Sequence, residues 1–143
     1  MQTLQKSVRS LIFAALIFLT ACSSSPDKLT KELKTTSSWA ATARMVGEAL
    51  MNGKVPTAFA KRTLETAQQN LQDENKTLSK SSDIPNEQRT RAKDQINRIQ
   101  QLVGQMKSAV EGKDQSALSQ LIGQLAVEEQ SMKSSTKNVS GQQ

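Results

Sequence analysis

No histidine and no tyrosine occur among the 143 residues, and there is a single cysteine. Histidine is the commonest general base and the commonest transition-metal ligand. Its lack removes serine-histidine and cysteine-histidine catalysis, histidine-rich zinc sites and the carboxylate-histidine di-iron site found in some helical bundles. A lone cysteine cannot close an intramolecular disulfide. Aromatic residues make up 3% of the chain, too few for the stacking platforms that accompany nucleic-acid binding. The glycines are scattered, so no glycine-rich loop can cradle a phosphate. From these absences we expect no catalytic residue, no metal site, no cofactor and no nucleic-acid partner.

What is present begins at the amino terminus. Lys6 and Arg9 precede an uncharged stretch from Ser10 to Pro26, with the apolar block Leu11 to Leu19 at its centre. A basic region followed by a short apolar one is the pattern of a secretory signal. The block is only about half of the ~20 apolar residues that a bilayer-spanning helix needs, which predicts removal rather than retention as a span. Leu19, Thr20, Ala21 and Cys22 come next. This run resembles the lipobox of bacterial lipoproteins, in which an aliphatic residue and two small residues precede an obligatory cysteine.

The resemblance covers residues 1 to about 25. It implies that the Cys22 thiol receives a diacylglyceryl group, that the signal is cut between Ala21 and Cys22, and that the new amino terminus is often acylated as well. A thiolate is the nucleophile such lipid transfer requires. Aspartate after the cysteine would favour retention in the inner membrane, and here that residue is Ser23. The resemblance therefore implies the periplasmic face of the outer membrane in an organism with two membranes, and the outer face of the plasma membrane otherwise. Acyl chains of this kind satisfy the two-signal requirement for stable anchoring.

Removing residues 1–21 leaves 122, enough for one small domain with a modest core. Lys6 and Arg9 leave with the signal, so 17 basic residues face 13 acidic ones, a net +4. Residues 22–26 read as a lipidated tether, with Ser25 as a helix cap and Pro26 in a first turn. Residues 27–133 then read as four amphipathic helices. The first carries Leu29, Leu33, Trp39, Ala43, Val46 and Leu50 and ends at Asn52-Gly53. The second opens with Thr57 as its cap and carries Ala60, Leu64, Ala67, Leu71 and Leu78. The third, capped by Asn86, steps by four and three through Ala92, Ile96, Ile99, Val103, Met106 and Val110 and stops at Gly112. Asp114 caps the fourth, which carries Leu118, Leu121, Leu125 and Met132. Residues 134–143 are polar and are expected to be a disordered tail.

Segments of similar length with short connectors predict an all-α fold, an antiparallel up-down four-helix bundle. Long helical hairpins forming a coiled-coil dimer are the alternative, since narrow alanine- and glutamine-rich stripes also suit a homo-oligomer.

Few residues stand out within this pattern. Glu74 falls in the seam between Leu71 and Leu78, and Glu128 falls between Leu125 and Met132, where acids either meet solvent at a helix edge or specify register. Glu48 lies off its stripe and is spaced to pair with Arg44. Trp39 is the largest side chain of its stripe. Gly47, Gly104 and Gly123 sit inside helices at about 1 kcal/mol each relative to alanine, which reads as close helix-helix approach. In an up-down bundle, residues 27–37, 73–94 and 131–143 share the lipidated end, and they hold +3 of the net +4. Lys28, Lys31 and Lys34 are the candidates there to face anionic headgroups.

These features lead to the expectation of a non-enzymatic envelope lipoprotein. Acyl chains on Cys22 hold it to the membrane, and its helical domain binds or scaffolds an envelope protein. A small-molecule or lipid carrier with its ligand near Trp39 and Met45 is the alternative. Replacing the lipid acceptor, Cys22→Ser, is expected to leave an uncut precursor, heavier by the signal peptide, in mass spectra of membrane-extracted protein. A mature form starting at an unmodified residue other than Cys22 contradicts the lipoprotein reading.

Overall fold

The computed structural model describes residues 25–141, so Ala21 and Cys22 lie outside the described residues. Four helices follow in order: α1 (Ser25–Met51), α2 (Thr57–Lys80), α3 (Asn86–Glu111) and α4 (Gln115–Ser140). They form an antiparallel four-helix bundle. Each helix packs on its two neighbours around the ring, α1 against α4 and α2, and α3 against α2 and α4. Across the middle, α1 also reaches α3, while α2 and α4 stay apart.

The sequence explains where each helix starts and stops. At the end of α1, Gly53 adopts φ 65°, a left-handed conformation that costs glycine nothing. There Lys54 N–H donates to the Ala49 carbonyl at 2.8 Å and Gly53 N–H to that of Leu50 at 3.0 Å, the paired bonds of a Schellman cap. Between α3 and α4 the same pair of bonds runs from Asp114 to Ala109 and from Lys113 to Val110. Here the left-handed residue is Lys113, at φ 56°, and Gly112 keeps helical dihedrals. The turn thus ends one residue later than the glycine suggested, because Asp114 serves both helices. As predicted, its side chain caps α4 by accepting from Ala117 N–H at 2.9 Å.

Two expected caps are corrected. Pro56 and Pro85, both extended, precede α2 and α3 as the capping residues, so Thr57 and Asn86 are already helical. Proline fixes φ but leaves ψ free to stay extended, and its carbonyl accepts the first helical bond, from Ala60 and Arg89 respectively. Likewise Ser25 belongs to α1 itself. At the other end α4 runs to Ser140, past the expected boundary at Ser134, because Thr136 is buried and Val139 packs on the core.

The stripes of α2 and α3 point inward as read, and Leu64, Leu71, Ile96, Ile99, Val103 and Met106 are wholly enclosed. In α1 the buried seam is Leu29, Leu33, Thr36, Ala40 and Ala43, an unbroken alternation of four- and three-residue steps, with Trp39 half-buried at its edge. Thr36 can enter because its hydroxyl donates to the Glu32 carbonyl at 2.9 Å, so no polar group is left unpaired. Ile84, in the turn between α2 and α3, closes one end of the core at 2% exposure.

Ile99 sits at 0% exposure in the middle of the most regular stripe. Ile99→Asp would place an uncompensated charge there and is expected to destabilise the bundle by about 3–5 kcal/mol. Unfolding followed by circular dichroism measures this. An unchanged melting temperature contradicts the packing.

Candidate functional site

Three features could carry function: the end of the bundle where α1 begins, the polar groups in the seams, and the outer grooves. That end collects the start of α1, the turn between α2 and α3, and the end of α4. Lys28 Nζ reaches Asp83 Oδ1 in that turn at 3.1 Å, and this hydrogen bond holds the Asp83 carboxyl below its usual range. On the opposite side Gln95 of α3 hydrogen-bonds Ser131 and Ser135 of α4 at 3.1 and 3.2 Å. Of the three candidate lysines, Lys28 is therefore engaged within the bundle. Lys31 and Lys34 are exposed and stand outside the ion pairs formed among the described residues.

The seam between α1 and α2 holds an acid pair. Glu74 lies where the spacing of α2 placed it, and its Oε2 is shut away from solvent with no hydrogen-bond partner. Burial pushes its pKa up to about 8, helped by a hydrogen bond and charge repulsion from Glu32 of α1 and by Asp73, and opposed by Lys31. A carboxylate in such a place favours its neutral form.

Between α1 and α4 the arrangement is the reverse, a paired charge. Arg44 Nε meets Glu129 Oε2 at 2.9 Å, and its Nη1 meets Glu48 Oε1 at 2.7 Å. Lys133 Nζ adds a second contact to Glu129 at 2.6 Å. Burial raises the pKa of Glu129, but the hydrogen bonds from Lys133 and Arg44 outweigh it and leave the carboxyl below its usual range. The same pairing raises the pKa of Arg44, with Glu129 contributing first and Glu48 second. The expected pairing of Glu48 with Arg44 is present. Glu128 is partly solvated at the helix edge, one of the two places expected for it, while its neighbour Glu129 is the acid buried in the seam, since either residue continues the stepping of α4 from Leu125 to Met132. Arg44 on the facing helix decides between them. Glu128 turns to α3 and meets Arg98 at 3.3 Å.

The outer grooves are open and mixed in character, and one between α3 and α4 has Leu102 and Val127 in its walls. One of about 980 Å³ follows α3 between α2 and α4 and is lined largely by glutamines, among them Gln68, Gln101, Gln105 and Gln124. Near Trp39, the interior position expected for Met45 is not taken. Met45 is 61% exposed, because two residues beyond Ala43 a helix has turned by about 200°. Gly47 does mark a close approach, with a Cβ there falling 2.7 Å from Met106 Cε across the bundle. Gly123 does not, since nothing lies within 4 Å of its Cβ position.

Among the described residues no helix is long and apolar enough to cross a membrane, and no group of three or more acidic or thiol side chains could hold a metal ion. Of the buried polar residues, Glu129 is paired across a helix seam, which suits it to setting register, whereas Thr36, Ser81 and Thr136 each donate to the carbonyl four residues earlier.

The Glu74 site generates a pH dependence. In the unfolded chain this carboxyl titrates near the ordinary glutamate value, about 4.3, while in the folded state it keeps its proton up to about 8. Between these values the folded state binds more protons, so stability is full at the acid end of the window and falls as pH rises. Melting curves should show this decline from pH 5 to 8, and Glu74→Gln should flatten it and melt higher than the parent at pH 8. A parent protein whose stability does not fall across that window contradicts the assignment.

No family model, curated protein or solved structure matches the chain.

Proposed function

We propose that the protein is a lipoprotein of the bacterial cell envelope, anchored through acyl chains on Cys22, whose bundle is a non-enzymatic scaffold for another envelope component at the membrane surface. The observation that carries this reading is the short distance between anchor and domain. The chain is helical from Ser25 onward, so only Ser23 and Ser24 separate the cysteine from α1. Three residue steps from Cys22 to Ser25 reach at most about 11 Å, which keeps the bundle against the bilayer rather than on a long leash. Lys31 and Lys34, exposed in the first turns of α1, are then within reach of anionic headgroups, where each contributes up to about 1 kcal/mol.

A scaffold rather than a catalyst is supported by what the interior holds. Leucine, isoleucine, methionine and alanine fill the seams, and the carboxylates most withdrawn from water are Glu129, held by two cations, and Glu74, beside Glu32. A ligand carrier would instead need an enclosed apolar pocket of several hundred Å³, whereas the groove of about 980 Å³ along α3 is open and amide-lined.

Crosslinking of intact cells followed by recovery of the lipidated protein tests the scaffold reading. A defined envelope component at reproducible stoichiometry is the expected result. Recovery of the chain without one, or turnover of a small molecule by the purified protein, contradicts it.

A further inference from the structure

We infer that the outer face of α4 docks on the outer face of α4 from a second copy of this chain, with the two helices antiparallel about a two-fold axis level with Leu125. The inference goes beyond the anchored-scaffold reading and rests on it for the membrane confinement that strengthens the contact.

The bundle is unevenly charged. The exposed faces of α2 and α3 carry lysines, arginines and acids along their length, as a solvated helix face does. By contrast α4 has no charge from Gln115 to Val127. Opposite its buried seam runs a second stripe, Ser116, Gln120, Gly123, Val127, Gln130 and Ser134, every member exposed. Its steps of four, three, four, three and four are those of a helix-pairing seam. Val127 is 69% exposed, more than any other large apolar residue described. Gly123, one turn away, weakens the helix without serving any contact inside the bundle, because nothing lies within 4 Å of its Cβ position.

The order of residue types selects the occupant. Read in either direction about Leu125, the stripe pairs Ser116 with Ser134, Gln120 with Gln130, and Gly123 with Val127. An antiparallel copy therefore brings each valine over the gap left by the other copy's glycine, matches glutamine amides that both donate and accept, and sets small serines together at the ends. This is the self-complementarity that a two-fold interface demands. Charge is absent from its centre, as at the cores of interfaces generally.

Size sets the strength. The stripe runs from Ser116 to Ser134, a rise of about 27 Å, and a helix is about 12 Å wide, giving roughly 300 Å² per copy against the ~800 Å² of a standard stable interface. The pair is weak in dilute solution and gains from confinement of both copies to one membrane, which raises their effective concentration. Because the helices are antiparallel, the two amino-terminal ends lie at opposite ends of the pair. A two-fold axis along the membrane normal then lets both chains reach the same bilayer.

Disulfide trapping of the full chain in native membranes tests this. Within one chain, residues 116 and 134 are about 27 Å apart along the helix, far beyond disulfide reach, so a Ser116→Cys/Ser134→Cys double variant can bridge only between copies. Oxidation should convert it to a covalent dimer whose 116-to-134 bridge is identified by peptide mass. Either single substitution should give no more dimer than the unsubstituted chain, which also controls for any free Cys22 thiol. Adding Val127→Lys, or Gly123→Leu to fill the gap, should abolish trapping without lowering the melting temperature, since both positions are exposed. Equal trapping by the single variants, survival of trapping with Val127→Lys, or bridging only to a different protein overturns the inference.

Discussion

Four narrow apolar stripes, built from leucine, isoleucine, methionine, alanine and valine, can leave water only against one another. A helix of about 25 residues with this composition is marginal by itself, because the cost of nucleation is offset mainly by packing. The enclosed residues are shared among all four helices, and α3 contributes the largest share of the fully buried bulk through Ile96, Ile99, Val103 and Met106. Alanines such as Ala40, Ala60 and Ala67 let the backbones approach, and Gly47 lets α1 meet Met106 of α3 across the middle. Mutual burial is the constraint on which the caps, turns and seam polars all depend.

Polar groups within the seams then refine the arrangement. The Arg44–Glu129 pair is formed only when α4 faces α1 at one level, and leaving either member alone would strand a charge of which Glu129 is almost wholly covered. Such a pair contributes little net stability compared with apolar residues of the same shape, but it penalises slipped alternatives. At the other seam, Glu74 and Glu32 act oppositely. Burial, together with the neighbouring Glu32, favours the protonated form of Glu74, which leaves that end of the α1 and α2 seam weakest at high pH. Both devices are placed by the same seven-residue spacing that places the leucines.

The periodicity of α2 and α3 was readable because leucine, isoleucine, valine or methionine recurs at regular steps along both stripes, interrupted in α2 only by Glu74. In α1 the seam was partly hidden, since Thr36 and Ala40 look neutral while Trp39 beside them draws the eye. Only the unbroken stepping from Leu29 to Ala43 distinguishes the true seam. Glu129 could not be separated from Glu128 along its own helix, because the deciding contact, Arg44, lies 85 residues away in the chain. Ile84 was missed for a different reason, as residues in turns have no period to betray them. The outer stripe of α4 was present in the sequence too, but Ser, Gln and Gly give no hydrophobic signal, and its significance emerged only once Gly123 proved to have no neighbour inside the bundle.

Function, on this account, resides in the surface of a bundle filled with its own side chains and held close to a bilayer. A carrier would have to part its helices to admit a ligand, whereas a scaffold keeps them closed. Hydrogen exchange of the full chain in membranes measures the difference, since amides freed only by cooperative opening share one protection level. Equal, global-level protection in the interiors of α1, α2, α3 and α4 is the result predicted here. Exchange of α1 or α4 through a separate, lower-energy opening, closed again by a bound small molecule, would contradict it.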